Sequence, residues 1–371
     1  MTEQLSFSHL VLIGAFFDAV AALAVLAVCA LTGPRRITTT SVGLALLVAA
    51  AGAAVQTVMV EDGFGRLHVA YLYVFVTLPV VGVILLVPVA LRRFEVSRAV
   101  TVVAVCCAVL AGVGFYATHI EPFWLRTDRA SLDADVLAGG DEIRIGVLSD
   151  FQATGVGDHE RAVVRRLMAE LPDLILISGD LFQSDGLDFD AGAPAMRDLL
   201  GELEAPGGVF VVKGDVDSPE RIRDLIRGTD VQWLDNEVVT TDVRGLPVRI
   251  AGVPVEYASP SARAVIGLLD DTDDGSGLRL VLAHRPDVID VIPEGGADLV
   301  VAGHTHGGQV QLPFFGPPVT LTGVPRDVAA GGLHEVNGQA IYVSAGAGME
   351  RHNAPQVRFL TRPSVGIVTV S

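Results

Sequence analysis

Leu299-Val300-Val301-Ala302-Gly303-His304-Thr305-His306-Gly307-Gly308-Gln309 runs from four apolar residues directly into two imidazoles set among glycines. The short apolar run reads as a buried strand, so the imidazoles stand at its carboxyl end. The same arrangement recurs upstream. Residues 278–283 end in His284, 209–212 lead to Gly214-Asp215, 174–178 to Gly179-Asp180, and 143–149 to Asp150. Between these runs lie amphipathic helical stretches at 160–171, 194–203 and 219–227. Strands alternating with helices predict an α/β domain around a largely buried sheet. In such sheets ligands bind beyond the carboxyl ends of the strands, so all these groups are expected to converge.

Three carboxylates and three imidazoles in one place repel or are desolvated unless a positive charge sits among them. Divalent metal ions meet that need, and imidazole with carboxylate suits manganese, iron or zinc. Two ions roughly 3.5 to 4 Å apart serve hydrolytic displacement at phosphorus. The glycines before the acids and imidazoles permit tight turns and close ligand approach.

The series Ser149-Asp150-Phe151-Gln152, Gly179-Asp180, Gly214-Asp215-Val216-Asp217, His284 and Gly303-His304-Thr305-His306-Gly307-Gly308-Gln309 resembles the calcineurin-like metallophosphoesterases. Together with Ile120-Glu121-Pro122 it is similar to the membrane-anchored bacterial branch of that superfamily, over roughly residues 119–371. The resemblance implies a two-sheet α/β/β/α sandwich and a two-metal site. Carried over by position, Asp150, Gln152, Asp180 and His306 surround the first ion, and Asp180, Asp215, His284 and His304 the second. It further implies that Asp180 bridges the ions, that a hydroxide between them attacks the phosphorus in line, and that His304 or His284 orients the site.

Three residues depart from the family pattern. Gln152 stands where Asp-x-His has its histidine, Asp215 where Gly-Asn-His-Asp has its asparagine, and Val216 where it has its histidine. A valine neither donates a proton to a leaving group nor stabilises a phosphorane. By resemblance, superfamily phosphodiesterases with a non-histidine there favour diesters with good leaving groups. The ligand set shifts from four imidazoles to three and from two carboxylates to three. More oxygen and less nitrogen favours manganese or magnesium over zinc.

Other polar residues carry less. Lys213, the only lysine in the chain, stands at a strand end and is left unassigned; Asp217 reads as structural. Arg285, Arg351, His352 and Asn353 read as solvated loop residues, and His159 and His334 as surface. The acidic run Asp270, Asp271, Asp273, Asp274 lacks the regular spacing and closing glutamate of a calcium loop and reads as a turn.

The N-terminal third has a different character. The 371 residues are 50% hydrophobic and only 19% charged, too apolar for one ordinary soluble domain. Four apolar stretches, 10–31, 42–60, 69–91 and 99–118, approach the roughly 20 residues that cross a bilayer. The expected organisation is four transmembrane helices over 1–120, a linker over 121–142 and the metallophosphoesterase domain over 143–371. Asp18 lies in the first span but near one end, where it can bond to a neighbouring helix, so anchoring rather than transport is the expected role of the helices. All three cysteines lie in these apolar segments, so the charged part has no disulfide framework and no cysteine metal site.

After residue 120 the chain has 38 acidic and 20 basic residues, a net charge of −18 that excludes the usual phosphate-binding surface for nucleic acid. The sequence therefore points to a membrane-anchored, metal-dependent phosphoric ester hydrolase acting on a phosphodiester or pyrophosphate bond, with a lipid-linked or envelope substrate suggested by location. The alternative is a catalytically weakened metal- or phosphate-binding sensor or scaffold on the same anchor.

Arg35 and Arg36 in the first connection, with Arg92, Arg93 and Arg98 in the third, predict that both connections are cytoplasmic and that the charged domain faces away from the cytoplasm. Alkaline phosphatase fused after Ser371 is then expected to be active in cells, and green fluorescent protein at the same point dark. The reverse pattern would invert the topology.

Overall fold

The computed structural model describes residues 7–31, 36–37, 39–60, 62–90, 95–96, 98–134, 137, 142–184, 187–270 and 277–371. Arg35, Arg92, Arg93, Asp271, Asp273 and Asp274 lie outside the described residues. Contacts divide the chain into two units, 1–120 with 351–356, and 121–350 with 357–371.

The first unit is helical: α1 (Phe7–Leu31), α2 (Thr39–Met59), α3 (Gly63–Leu72), α4 (Leu78–Ala90) and α5 (Arg98–Phe115), with a π-helical turn, Tyr73–Thr77, joining α3 to α4. A short parallel pair, β1 (Arg36–Ile37) and β2 (Glu95–Val96), links two connections. Glycine sets the packing at one helix pair. A Cβ on Gly82 of α4 would lie 2.7 Å from the Ala104 carbonyl oxygen of α5, so only glycine lets these backbones approach. Among the described residues three segments are long and apolar enough to cross a membrane, Val42–Met59, Gly63–Leu86 and Val100–Phe123. The first helix contributes a shorter apolar stretch, Val11–Val25, so three spans rather than four are clear. Asn353 groups with this unit, donating to Asp62 at 3.0 Å and pairing through its carbonyl with His68 at 3.2 Å, where the sequence predicted a solvated loop.

The second unit holds two six-stranded sheets. The first has the order β3 (Arg126–Leu132), β14 (Ser364–Val370), β4 (Ile143–Leu148), β5 (Leu174–Ile177), β6 (Val209–Val211), β7 (Val231–Trp233). From β4 to β7 it is parallel, and β14 is antiparallel to β4. The second has the order β12 (Gly332–Val336), β13 (Gln339–Val343), β11 (Leu299–Ala302), β10 (Leu278–Ala283), β9 (Leu246–Val253), β8 (Glu237–Val243). Its four inner strands are parallel and its two edges antiparallel.

Strand periodicity explains the layers. In β5 all four residues are buried, yet alternate side chains enter different cores. Leu174 and Leu176 pack between the two sheets with Ile145, Phe210, Leu280, Leu299 and Val301. Ile175 and Ile177 pack outward with Val163, Leu167, Met196 and Leu225 from α6 (Asp158–Met168), α7 (Leu187–Leu200) and α8 (Pro219–Ile226). The second sheet is covered in turn by α9 (Pro260–Gly267), a 3-10 turn over Pro286–Val291 and α10 (Arg326–Ala329). The result is helices, sheet, sheet, helices, and both faces of each parallel strand are apolar because both are covered.

Two local expectations differ. The stretch 121–142, expected as a linker, contains β3, an edge strand paired residue for residue with β14 from Ser364↔Arg126 to Val370↔Leu132. Its sequence, RTDRASL, is polar because its side chains are exposed or half-buried; backbone pairing holds it, with Ala130 and Leu132 packed against the core between the sheets. Helix α7 begins at Leu187, ahead of the predicted Pro194, and carries that proline in its interior. Proline is common at helix starts, which misplaced the boundary.

Truncating Leu176, fully buried between the sheets, is expected to cost about 2–5 kcal/mol. Denaturant unfolding of Leu176→Ala, followed by fluorescence, checks this; an unchanged midpoint would place the residue outside the core.

Candidate metal centre

Each site residue sits where a parallel strand stops. Asp150 follows β4, Asp180 follows β5, Asp215 follows β6, His284 follows β10, and His304 and His306 follow β11. The strand ends turn sharply. Asp150, Gln152, Asp180, His304 and His306 all have φ between 39° and 70°, a left-handed backbone that non-glycine residues seldom adopt. Such conformations cost on the order of 1–3 kcal/mol each and cluster at functional sites. Gly303 is obligatory here, since any Cβ would collide with the Ser149 hydroxyl and come within 2.5 Å of the Asp150 carboxylate.

The structure brings Asp150, Asp180 and His284 together, and beside them Asp215, His284 and His304; within each group the candidate ligand atoms lie within 4.8 Å of one another. His284 belongs to both groups and is fully buried. Its Nδ1 pairs with the Ser178 carbonyl at 2.7 Å, which turns Nε2 toward Asp180 and Asp215, each 3.4 Å away. That orientation is the one backbone carbonyls impose on metal-ligating imidazoles. His284 Nε2 is buried and makes no hydrogen bond. His306 Nε2 faces Asp150 at 3.5 Å, while Arg358 Nη2 lies 3.5 Å from its Nδ1. His304 Nδ1 lies 2.9 Å from Asp215.

Electrostatics test whether these residues suit a cation. Burial pushes the Asp150 carboxyl up to about 6, with His284 opposing and Asp180 adding to the rise. Burial also works against a charged His284, but Asp180, Asp215 and Asp150 outweigh it and raise the imidazole to about 10. Asp215 is held far below the usual carboxylate range: burial opposes, and the neighbouring His284, His304 and Arg285 prevail. The cluster thus favours a proton on His284, the same positive charge that divalent ions would supply. The donor set, oxygen and imidazole around a buried excess of acids with an orphaned imidazole nitrogen, fits such ions.

Several residues behave differently from their sequence reading. Arg285, predicted as a solvated loop residue, clamps Asp215 with both Nε and Nη2, at 3.2 and 2.5 Å. His159, predicted as surface, pairs with the Ala347 carbonyl at 2.8 Å. His334, also predicted as surface, is half-buried and contacts the Gly331 carbonyl at 3.1 Å. Asp217 accepts the amides of Asp180, Leu181 and Gly214, so it shapes the loop that presents Asp180. Lys213 makes only a 3.5 Å contact with the Gly214 carbonyl among the described residues. Val216 presents its amide, not its side chain, donating to Asp180 at 2.9 Å.

Gln152 is fully buried beside Asp180, and its Nε2 donates both to Asp180, at 3.2 Å, and to Glu350, at 3.0 Å. Glu350 is held in turn by Gln183 Nε2 at 2.9 Å and, through its amide, by Gln309 Oε1 at 2.9 Å. No sequence signal marked Glu350; it follows a glycine-rich turn and reaches Gln152 only through the fold. Arg358 was missed for the same reason. It is fully buried and donates to the carbonyls of Gly346, Gly348, His306 and Thr361, tying the His306 turn to the 346–348 loop. Burial lowers its guanidinium to about 10.

Residues 143–308 match the family described as calcineurin-like phosphoesterase, and this segment carries the signature of the metallophosphoesterase superfamily. It is 28% identical over 273 residues to an uncharacterized metallophosphoesterase, YkuE, of Bacillus subtilis, covering 71% of this chain and 92% of the relative. It is 27% identical over 277 residues to the phosphodiesterase YaeI of Escherichia coli, covering 69% and 92%. An uncharacterized metallophosphoesterase of Aquifex aeolicus is 29% identical over 275 residues, covering 70% and 96%. The family uses a dinuclear metal centre, and the chain has Asp and His groups that can bind metals.

Groups that orient metal ligands typically contribute 10–100-fold in metal affinity. Glu350→Ala is therefore expected to weaken manganese binding by about that factor, and Gln152→His, which supplies an imidazole, to strengthen it. Calorimetric titration of the metal-stripped protein checks both; unchanged affinity in Glu350→Ala would make the Gln152–Glu350 contact incidental.

Proposed function

We propose that the protein is a membrane-anchored, two-metal phosphoesterase that hydrolyses a phosphodiester or pyrophosphate bond outside the cytoplasm. One observation carries the reading: three carboxylates and two imidazoles from five strand ends form two groups that share His284, each with its ligand atoms within 4.8 Å of one another. The phosphodiesterase named among the relatives supports the diester substrate class. The apolar helices support the anchor, and attachment to a bilayer favours a lipid-linked or envelope phosphoester.

Asp150, Gln152, Asp180 and His306 would hold one ion, and Asp180, Asp215, His284 and His304 the other. When bound, two divalent ions supply a nucleophilic water at neutral pH and neutralise the phosphoryl oxygens. The chain's own residues do the rest. Ser178 fixes the His284 ring so that Nε2 points into the site. Arg285 holds Asp215 in one rotamer by a two-point clamp. The Val216 amide and the Gln152 amide nitrogen fix the two oxygens of Asp180 between the ligand groups. Val216 donates no proton to the leaving group, which restricts the site to substrates whose leaving oxygen needs little protonation. Three carboxylates in the ligand set favour manganese over zinc.

Gln152 also supports a second reading. In this arrangement its amide nitrogen, not its oxygen, contacts Asp180, as expected of a domain that binds one ion and serves as a sensor.

Hydrolysis of bis(p-nitrophenyl) phosphate by the full chain in detergent distinguishes the two. Turnover is expected with manganese, is lost on chelation, and falls at least about 10³-fold in Asp180→Asn. A folded protein that binds one ion per chain and turns nothing over would favour the sensor. Tighter zinc than manganese binding would remove the metal preference.

A further inference from the structure

A depression of about 830 Å³ on the second unit shares no residue with the metal centre. Five arginines line it, Arg126, Arg129, Arg165, Arg166 and Arg362, together with Trp124 and a single acid, Glu170. In a stretch of chain where acids outnumber bases 38 to 20, this reversal of sign is local and strong. Two of the arginines are already compensated, Arg126 by Asp128 at 2.8 Å and Arg129 by Glu170 at 2.6 Å. Arg362 is spent differently: its guanidinium lies 4.2 Å over the Trp124 ring and its Nε donates to the Trp124 carbonyl at 2.7 Å. Stacking fixes the group without neutralising it. Arg165 and Arg166 have no ion pair with any described residue. With Ala162 and the C-cap residue Ala169 they form one stripe along α6 and its C-cap at i, i+3, i+4 and i+7, two small residues lining the depression beside two cationic arms. Three positive charges therefore remain uncompensated around one concavity.

Chain connectivity says where such a site lies. Phe123 is the last residue of the apolar segment Val100–Phe123, and Trp124 is the next residue, one Cα step of about 3.8 Å further on. If that segment crosses a bilayer, Trp124 is bound to the headgroup layer, the depth that tryptophan favours. Phe123 and Trp124 are both more than half exposed. Membrane surfaces carry anionic phospholipids, and guanidinium groups match phosphate oxygens by paired donors.

From this geometry we infer that the Arg-lined depression binds the phosphate of an anionic phospholipid headgroup, independently of the substrate held at the metal centre. The inference rests on the membrane reading of the helices and goes beyond the proposed hydrolysis. Trp124 acts as the interfacial wall of the site, stacked by Arg362, while Arg165 and Arg166 supply the donors that no protein acid uses.

Trp124 is one of two tryptophans, so Trp233→Phe leaves it as the sole reporter. The full chain in this background, with its melting temperature verified against wild type, is reconstituted in nanodiscs. These carry either phosphatidylglycerol or phosphatidylcholine, brominated near the headgroup at equal mole fraction. The brominated anionic lipid is expected to quench Trp124 more strongly. Each arginine near a membrane surface enriches anionic lipid about fivefold, so Arg165→Gln with Arg166→Gln is expected to abolish most of the difference, while Asp180→Asn leaves it intact. Equal quenching by both lipids would overturn the headgroup site while keeping the membrane reading. No quenching by either would overturn both. A difference that persists in the double arginine variant, or one removed by millimolar inorganic phosphate, would overturn it as well, the latter in favour of a soluble-anion site.

Discussion

Buried negative charge at the ends of parallel strands is the constraint around which this domain is organised. Asp150 and Asp180 stand in an interior that desolvates them, with Asp215 at its edge, and the same parallel strands that deliver them deliver His284, His304 and His306. Carboxylates so placed must be balanced, and the structure does this with hydrogen bonds and with a proton favoured on His284, which rises to about 10. Divalent ions accomplish the same without that proton, which is why the arrangement reads as a metal centre rather than as a set of unrelated core polar groups.

The backbone accepts a cost for this convergence. Five of the seven candidate ligands occupy left-handed conformations, and Gly179, Gly214 and Gly303 stand where a Cβ would meet backbone or a carboxylate. Two apolar sheets, packed through Leu176, Leu280 and Val301, supply the rigidity that keeps those turns in place. Asp217 and Arg358 do the local work, each gathering several loop backbone groups, and Arg358 also faces the His306 ring.

The departures from the family pattern also connect to one another. The Gln152 amide bridges to Asp180 on one side and to Glu350 on the other, and Glu350 is gripped by Gln183 and Gln309. A chain of amides and one carboxylate thus occupies the place of a single imidazole. Asp215, the added acid, is balanced by Arg285. Two of the three substitutions, Gln152 and Asp215, therefore come with a compensating neighbour, so the site is altered rather than dismantled.

By itself the sequence determined the α/β class, the strands that end in Asp150, Asp180, Asp215, His284 and His304, and the apolar character of the N-terminal helices. Those features are local: they follow from strand periodicity, glycine placement and hydropathy, which neighbouring residues encode. Only the tertiary structure decided the partners of those residues. Glu350 meets Gln152 across 198 positions, Arg285 meets Asp215 across 70, and Arg358 ties together loops from different strands. The edge strand β3 likewise escaped detection because its hold on the sheet is mostly backbone pairing with β14, and only Ala130 and Leu132 give it an apolar face. Contacts between residues distant along the chain leave no periodic trace, and the depression lined by arginines from β3, α6 and the segment before β14 exists only because the fold brings those three together.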